Sequence, residues 1–521
     1  MVLQLQNIED AKKKLDSTSV GTFLQIDNSF RSFIKSIEIK SFRHIKDLTI
    51  EFKHPITIIS GANKSGKTSV LLLLACCHEK FMKLDSTSPL PTLREHNWGD
   101  VFSFTQHESI STDYQWSIHW RVANKPLSGT GKRIALSKAW SGLAKKSSNT
   151  SRENAKIRNR EVRLIDLERV LPGRSFSNAL YRKSFEVAPV RLRPEIEQAF
   201  AYVFELESVE IKEISQHINK SCFLITHSTG SYSTYNSASG EESVIYLLRD
   251  LIDSPKDSFI LIDEVEAGFH PSIQRRIAEI IQYISWTDKK QFIITTHSPT
   301  LLSSFSSRSR KFIDISPMGH QIHEEISHQA ARSKMDSIGY PLVRLYCEDE
   351  LASFLIKKIL VKISRDNTHF DRLINIITSG PINEVKMDYI RHKRNFNQFI
   401  NKIGYSVIFD GDYKNDPVYN TLESSSTDFA SFIYPYEKPE KFLVKAYLAN
   451  DEVAALRAAY AHDDHHTLFE KMVALGLATD RSDARNICYR YFESSAEFAL
   501  HEQGIKEILL KSVSHFSQLK D

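Results

Sequence analysis

Hydrophobic and polar residues alternate along Phe33–Phe52 (FIKSIEIKSFRHIKDLTIEF), a period-two pattern that predicts half-buried strands. The next run, Pro55–Ser60 (PITIIS), is β-branched and apolar without alternation and ends at Gly61. It predicts a strand buried on both faces. A glycine-bearing loop and an apolar helical run from Thr68 follow. Strand-like alternation returns over Asp100–Val122 and Val209–Thr234, and a helix is predicted from about Glu241 to Ile252. Phe259–Ile262 and Phe292–Thr295 read as two more buried strands. After a boundary near Ser333–Pro341 a second series begins, with strand Val343–Tyr346, helix Leu351–Ile363, and strands Leu373–Ile377 and Val407–Phe409. Strands alternating with helices imply a wound, parallel sheet. From about Glu440 to Asp521 the pattern is helical (VAALRAAYA, LFEKMVALGLA, IKEILLKSV). The fold class is therefore α/β. A head over 1–335 is expected, then a smaller parallel-sheet domain over 336–440 and a helical segment over 441–521.

Composition narrows the picture only a little. The 521 residues are 41% hydrophobic and 25% charged, with 68 Lys+Arg against 64 Asp+Glu. A net charge of +4 excludes a polycationic tail protein, and the composition excludes a disordered chain. Basic residues do cluster. Lys132–Arg174 holds Lys145, Lys146, Arg152, Lys156, Arg158, Arg160 and Arg163 against Glu153 and Glu161, and reads as an exposed basic insertion. Arg391, His392, Lys393 and Arg394 form a second run, interleaved with Tyr389, Phe396 and Phe399. Both stretches could meet a DNA backbone, and the insertion could equally dock a partner. Five scattered cysteines without a CxxC argue against a disulfide framework or structural zinc. The N-terminus has no targeting pattern, and the longest apolar run, near Val70–Cys77, is far short of the ~20 residues a membrane span needs. A cytoplasmic protein with no membrane partner is expected.

Three motifs carry chemistry in the first half. GANKSGKTS satisfies G-x-x-x-x-G-K-[ST], with Gly61, Asn63, Lys64, Ser65, Gly66, Lys67, Thr68 and Ser69 as nucleotide-binding positions. Its backbone N–H groups would wrap a phosphate at a helix N-terminus, Lys67 would reach the β/γ-phosphates, and the Thr68 hydroxyl would ligate Mg²⁺. FILIDEVEAGFHP delivers Asp263 to the magnesium shell and Glu264 to the attacking water. ITTHSP places His297 at a strand end, where it could sense the γ-phosphate. ATP and Mg²⁺ are the expected cofactors.

These residues resemble the ATP-binding-cassette (ABC-type) heads of the chromosome-maintenance and repair ATPases, over roughly residues 30–335. The resemblance implies ATP-driven pairing of heads in a homodimer or higher oligomer. A signature segment of one head then covers the nucleotide of the other. The matching segment is NSASGEES, with Ser239, Gly240 and Glu241 in the family pattern and Ala238 where a serine is common. Gln106 is the candidate for a glutamine facing the γ-phosphate.

In the second half, RLYCEDELASF puts Glu348 at a strand end and YSVIFDGDYK puts Asp410 and Asp412 at another, with Thr378-Ser379-Gly380 after the strand between them. Ligands collect at the carboxyl ends of parallel strands. Three carboxylates there suit Mg²⁺ or Mn²⁺, which can activate a water for phosphodiester cleavage. This arrangement resembles a Toprim domain. The family form of the first motif is E-G-x-x-D, where this chain has Asp349 and Ala352, and Glu440 is a candidate substitute ligand. An ABC-type head followed by a Toprim-like domain is similar to the OLD-family effectors of bacterial antiphage systems, including Gabija and retron-associated types. That resemblance implies an ATP-gated, metal-dependent DNA nuclease. The rival is an ATPase scaffold with a degenerate Toprim-like domain, acting with a separate HNH-type nuclease subunit (as in Septu-like systems) or with a retron reverse transcriptase and its msDNA. A repair ATPase that tethers DNA ends ranks last, since no long heptad repeat separates phosphate loop and signature. AHDDHH, Ala461–His466, reads as an exposed turn between helices rather than a metal cluster.

Overall fold

A computed structural model describes residues 5–18, 30–84, 93–96, 98–101, 107, 112–123, 125–137, 139–143, 157–158, 160–171, 182, 188–217, 220–237, 239–316, 319–335, 341–367, 370–398, 402–423 and 428–518. The chain divides into two compact units, 1–331 and 332–520.

The first unit is built on an eight-stranded sheet. Its order is Gly319–Glu324, Arg310–Ser316, Ile56–Gly61, Gln291–Thr295, Phe259–Ile262, Val162–Ile165, Phe81–Leu84 and Leu93–His96. The six inner strands run parallel, and the two at the edges are antiparallel to their neighbours. Ile56–Gly61, Phe259–Ile262 and Gln291–Thr295 are buried at every position, which is why they carry apolar runs instead of alternation. The alternating segments lie elsewhere. Ser32–Phe42 and Ile45–Glu51 pair in a five-stranded antiparallel sheet with Tyr114–Val122, Lys125–Arg133 and Trp140–Gly142. Glu210–His217, Lys220–His227 and Gly230–Ser233 belong to a third, antiparallel sheet.

The basic stretch 132–174 is not simply an exposed insertion. Its residues Val162–Ile165 form a fully buried strand beside Phe259–Ile262. Arg163 is tolerated there because it pairs with Glu161 and Asp250. Buried Arg160 donates to Gln291 Oε1 and to the Asp257 carbonyl. Lys145, Lys146, Arg152 and Lys156 lie outside the described residues. The strand-like reading of Asp100–Val122 holds for Tyr114–Val122, whereas Trp98–Val101 is helical.

The second unit holds a wholly parallel four-stranded sheet, ordered Ile374–Thr378, Val343–Cys347, Gly404–Phe409 and Ala430–Phe432. The helical residues after 440 include Pro439–Leu448, Arg481–Glu493 and Phe498–Gln518. The last of these packs on the sheet so closely that a Cβ at Gly404 would stand 2.4 Å from the Phe516 ring. Phe516 also meets the rings of Phe396, Tyr405 and Phe429. No helix among the described residues is long and apolar enough to cross a membrane.

Candidate functional site

In the first unit, the Ile56–Gly61 strand turns through 61–66 into helix Lys67–Cys76. The turn depends on its two glycines. A Cβ at Gly61 would lie 2.6 Å from the Ile313 carbonyl and from Ser65 Oγ. Gly66 has a left-handed φ of 94°, and a Cβ there would lie 2.7 Å from Ile45 Cδ1. The first amides of the helix have no intrahelical acceptor, and Ser65 Oγ is buried without a partner. This donor set and its dipole fit a phosphate. Lys67 is buried, and its Nζ donates to the Gly61 and Ala62 carbonyls at 3.0 Å each. Burial pushes its pKa down to about 8, against the pull of Glu264, Asp263 and Glu266.

Asp263 and Glu264 follow the Phe259–Ile262 strand at its carboxyl end. The Thr68 hydroxyl donates to both Asp263 oxygens, at 3.1 and 3.0 Å, so the two residues expected to share a magnesium ion already face each other. Thr295 Oγ1 donates to Asp263 at 2.6 Å and accepts the Glu264 amide at 2.9 Å. Glu264 adopts a left-handed φ of 45°. The strained turn is held from beneath by Arg169, which is buried and donates to the carbonyls of Asp166, Asp263 and Glu264. His297 Nε2 lies 3.9 Å from Glu264 Oε1, and its amide donates to Glu266 Oε1 at 2.5 Å. Burial, then Lys67, holds the His297 imidazole below its ordinary pKa and therefore neutral at pH 7, while burial raises the Glu266 carboxyl.

The other nucleotide positions are placed differently. Asn63 and Lys64 are exposed on the loop, Thr68 is exposed in the first turn of the helix, and Ser69 is buried with its hydroxyl 3.4 Å from Arg43 Nη1. Ser239 opens helix Ser239–Asp253. A Cβ at Gly240 would lie 3.3 Å from the Gly268 carbonyl, and Glu241 accepts the Tyr232 hydroxyl at 2.7 Å. The signature thus starts against the turn that follows the acidic pair, with partners of its own. Ala238 and Gln106 lie outside the described residues. Arg169, Thr295 and Glu266 were not singled out from sequence. Thr295 and Glu266 sit inside motifs that were, whereas Arg169 has no local signal.

In the second unit, Glu348 and Asp410 leave the carboxyl ends of adjacent parallel strands and line one cleft with Asp349, Asp412 and Glu440. The glycine between Asp410 and Asp412 is needed, because a Cβ there would lie 2.3 Å from the Ile433 carbonyl. Glu348 Oε2 and Asp410 Oδ1 are both buried without a hydrogen-bond partner. Burial, then the charge of Asp349, raises Glu348 to about 7. Burial, then Glu348, raises Asp410 well above the usual carboxylate range. Unpaired buried carboxylate oxygens lining one cleft fit a divalent cation, which would supply the missing countercharge. Lys438 Nζ is 3.9 Å from Asp412 Oδ2. Asp349 has another task as well: its carboxylate caps helix Glu350–Asp366 by accepting the Ala352 amide at 2.8 Å.

The run Arg391–Arg394 is not one basic face. His392 is buried between the Tyr346 hydroxyl and the Ile403 carbonyl, and Lys393 pairs with Asp428. Arg391 and Arg394 are exposed, and Phe399 lies outside the described residues.

With this geometry in place, known proteins can be compared. Residues 33–250 match the family described as "AAA ATPase domain", and residues 236–303 match "AAA domain, putative AbiEii toxin, Type IV TA system". The chain is 26% identical over 177 residues to the "Retron Vc95 probable ATPase" of Vibrio cholerae serotype O1 biovar El Tor. That match covers 30% of this chain and spans about a third (32%) of the relative's length. Among solved structures, the SMC head domain from Thermotoga maritima aligns with 56% of this chain and 98% of its own, at 11% identity and TM-score 0.34. A Pyrococcus furiosus Smc head bound to the C-terminal domain of ScpA aligns with 56% and 96%, at 12% identity and TM-score 0.37. The head is an α/β P-loop ATPase domain, and its nucleotide is ATP, typically with Mg²⁺.

Proposed function

We propose that the protein is a cytoplasmic antiphage effector in which ATP binding pairs two heads and gates metal-dependent DNA cleavage in the second unit. One observation carries the reading: Glu348 and Asp410 are brought from adjacent strand ends into one cleft with buried, unpartnered oxygens. Satisfied turn carboxylates would have protein donors. The retron-associated relative supports a defence setting for the ATPase. On this reading residues 1–335 are an ABC-type head, 336–440 a Toprim-like domain and 441–521 a helical segment, as in the OLD family. DNA and a second copy of the chain are the partners.

In the head, Gly61–Ser69 bind the triphosphate, with Thr68 and Asp263 holding Mg²⁺. Glu264 orients the attacking water and the neutral His297 reads the γ-phosphate. Ser239, Gly240 and Glu241 contact the nucleotide of the paired head. In the cleft, Glu348, Asp410 and Asp412 hold Mg²⁺ or Mn²⁺, which when bound lowers the pKa of a water and stabilises the departing oxygen.

A second reading rests on Asp349 and Ala352. Asp349 is engaged as a helix cap and Ala352 is fully buried, so the positions where the Toprim form has glycine and acid serve the helix. The chain would then be the ATPase scaffold of an HNH-type nuclease subunit or of a retron reverse transcriptase and its msDNA. Plasmid cleavage by purified protein with Mg²⁺ or Mn²⁺, with and without ATP, separates the two. Lys67→Ala should lower ATP hydrolysis at least about 100-fold. Asp410→Ala should abolish cutting and leave ATP hydrolysis intact. Equal cutting by wild type, Asp410→Ala and Glu348→Ala would overturn the nuclease reading.

A further inference from the structure

The sequence places AHDDHH in an exposed turn, and His462 and Asp463 are indeed exposed. One imidazole nevertheless turns back toward the protein: His465 is half-buried, while His466 is exposed. His465 and His466 open a short 3₁₀ turn whose preceding residue, Asp464, accepts the His466 amide at 3.1 Å. Their rings are tilted by 40° to one another, with centroids 3.8 Å apart. Both line the acidic cleft beside Glu440, which stands in the first turn of helix Pro439–Leu448 with its side chain only 6% exposed. One donor atom from each of Glu440, His465 and His466 falls within 4.8 Å of the others.

We propose that Glu440, His465 and His466 form a distinct transition-metal site in this cleft, taking a nitrogen-seeking divalent cation of the Zn²⁺ or Co²⁺ class.

Three features carry it. The first is the donor set: two imidazoles and a carboxylate favour Zn²⁺, Co²⁺ or Ni²⁺ over Mg²⁺, in contrast to the all-oxygen set of Glu348, Asp410 and Asp412. The second is tautomer control. Lys438 Nζ, which can only donate, lies 3.1 Å from His465 Nε2, so that nitrogen presents its lone pair. The other nitrogen, Nδ1, stands 3.0 Å from Asp464 Oδ1, the carboxylate–histidine arrangement that fixes metal-binding imidazoles. The third is field. The Lys438 ammonium already occupies the position a cation would take against His465. Glu440 is a buried carboxylate whose Oε1 is 3.3 Å from His466 Nδ1. An incoming ion replaces Lys438 at Nε2, and the ammonium keeps Asp412 as its neighbour. The site adds a second cation position to the cleft. Its role in cleavage rests on the nuclease reading, but its occupancy does not.

The test is titration of the full chain with Co²⁺ alone, followed by its visible d–d absorption and by calorimetry. Wild type should bind Co²⁺ with a nitrogen-ligand spectrum. His466→Ala, at an exposed position that cannot compromise folding, should weaken binding at least tenfold, and His465→Gln likewise. Asp410→Asn should keep the spectrum, even where it abolishes cutting. Absence of the spectrum from wild type would overturn the proposal. So would Co²⁺ binding that survives both histidine changes and is lost with Asp410→Asn, which would place the ion among the oxygen ligands only. Failure of DNA cleavage with the Co²⁺ spectrum intact would sink the nuclease reading and leave this site standing.

Discussion

Two acidic strand ends in this chain, in similar sheets, have opposite environments. Asp263 in the head has hydroxyl donors from Thr68 and Thr295, and the backbone around it is tied down by Arg169. Glu348 and Asp410 in the second unit line one cleft, each with a buried oxygen that no protein group donates to, and both are pushed toward their neutral forms. The head therefore carries its own support for the acidic turn, so the nucleotide enters a finished frame. The second unit stores electrostatic repulsion that a cation would relieve. Sequence makes the two look alike, since each is a buried apolar strand ending in acid. The donors that separate them come from remote residues.

Replacing the head's support should have the largest effect. Arg169→Met removes a buried guanidinium from three carbonyls, of which that of Glu264 keeps a second donor, the Ala267 amide, and should destabilise the first unit by about 3 kcal/mol. It should also lower ATP hydrolysis more than tenfold by releasing the turn that carries Glu264. A Tm and a hydrolysis rate equal to wild type would remove Arg169 from the frame and make the two acidic ends more alike than they look.

The pH response should be the next in size. His54 in the head and His501 in the second unit are buried, and desolvation lowers each to about 4. A histidine depressed from about 6.5 to about 4 makes the unfolded chain bind protons more readily. Its contribution is complete above pH ~6.5 and is lost as pH falls toward 4, by up to about 3 kcal/mol per group. Glu348 works the other way in metal-free protein: raised to about 7, it contributes below pH ~4.5 and that contribution is lost as pH rises through 7. Asp250, raised to about 6 by burial, opposes His54 in the head as Glu348 opposes His501, so hydrogen exchange between pH 5 and 7 should show stability rising only shallowly with pH in both units. Glu348→Gln should steepen the second unit's response. Equal slopes before and after that change would mean that Glu348 carries no stored repulsion.

The smallest effect is a gain. In EDTA, Asp410→Asn removes a buried carboxyl whose ionisation burial and Glu348 oppose, and should raise the melting temperature of the second unit by the equivalent of about 1 kcal/mol. The same change should cancel any stabilisation that Mg²⁺ or Mn²⁺ gives wild type. A fall in melting temperature in EDTA would show that Asp410 is held by donors after all.

The strands at the sites were readable because two-sided burial forces apolar runs, as in Ile56–Gly61, Phe259–Ile262 and Gly404–Phe409. Val162–Ile165 was hidden by its neighbours. Arg160 and Arg163 read as surface charge, but carbonyl, amide and carboxylate partners far along the chain make their burial tolerable. Arg169 could not be found for the same reason, since its three acceptors lie up to 95 residues away. The turn at 462–466 is exposed, as expected, at His462, Asp463, Asp464 and His466, and half-buried at His465. Only packing against Glu440 and Lys438 shows that one imidazole is turned inward. Asp349 is a different case: its role as a cap is written in its place one residue before the helix.

Lys67 spends its two strongest contacts on the very loop it belongs to. Nucleotide capture at this turn is therefore a trade of acceptors, carbonyl for phosphate, rather than the ordering of a loose segment. Such a trade carries little entropic penalty and rewards ligands by the charge they bring. A triphosphate gains most from it, a nucleoside without phosphates gains nothing, and the loop's discrimination is in effect a measurement of negative charge.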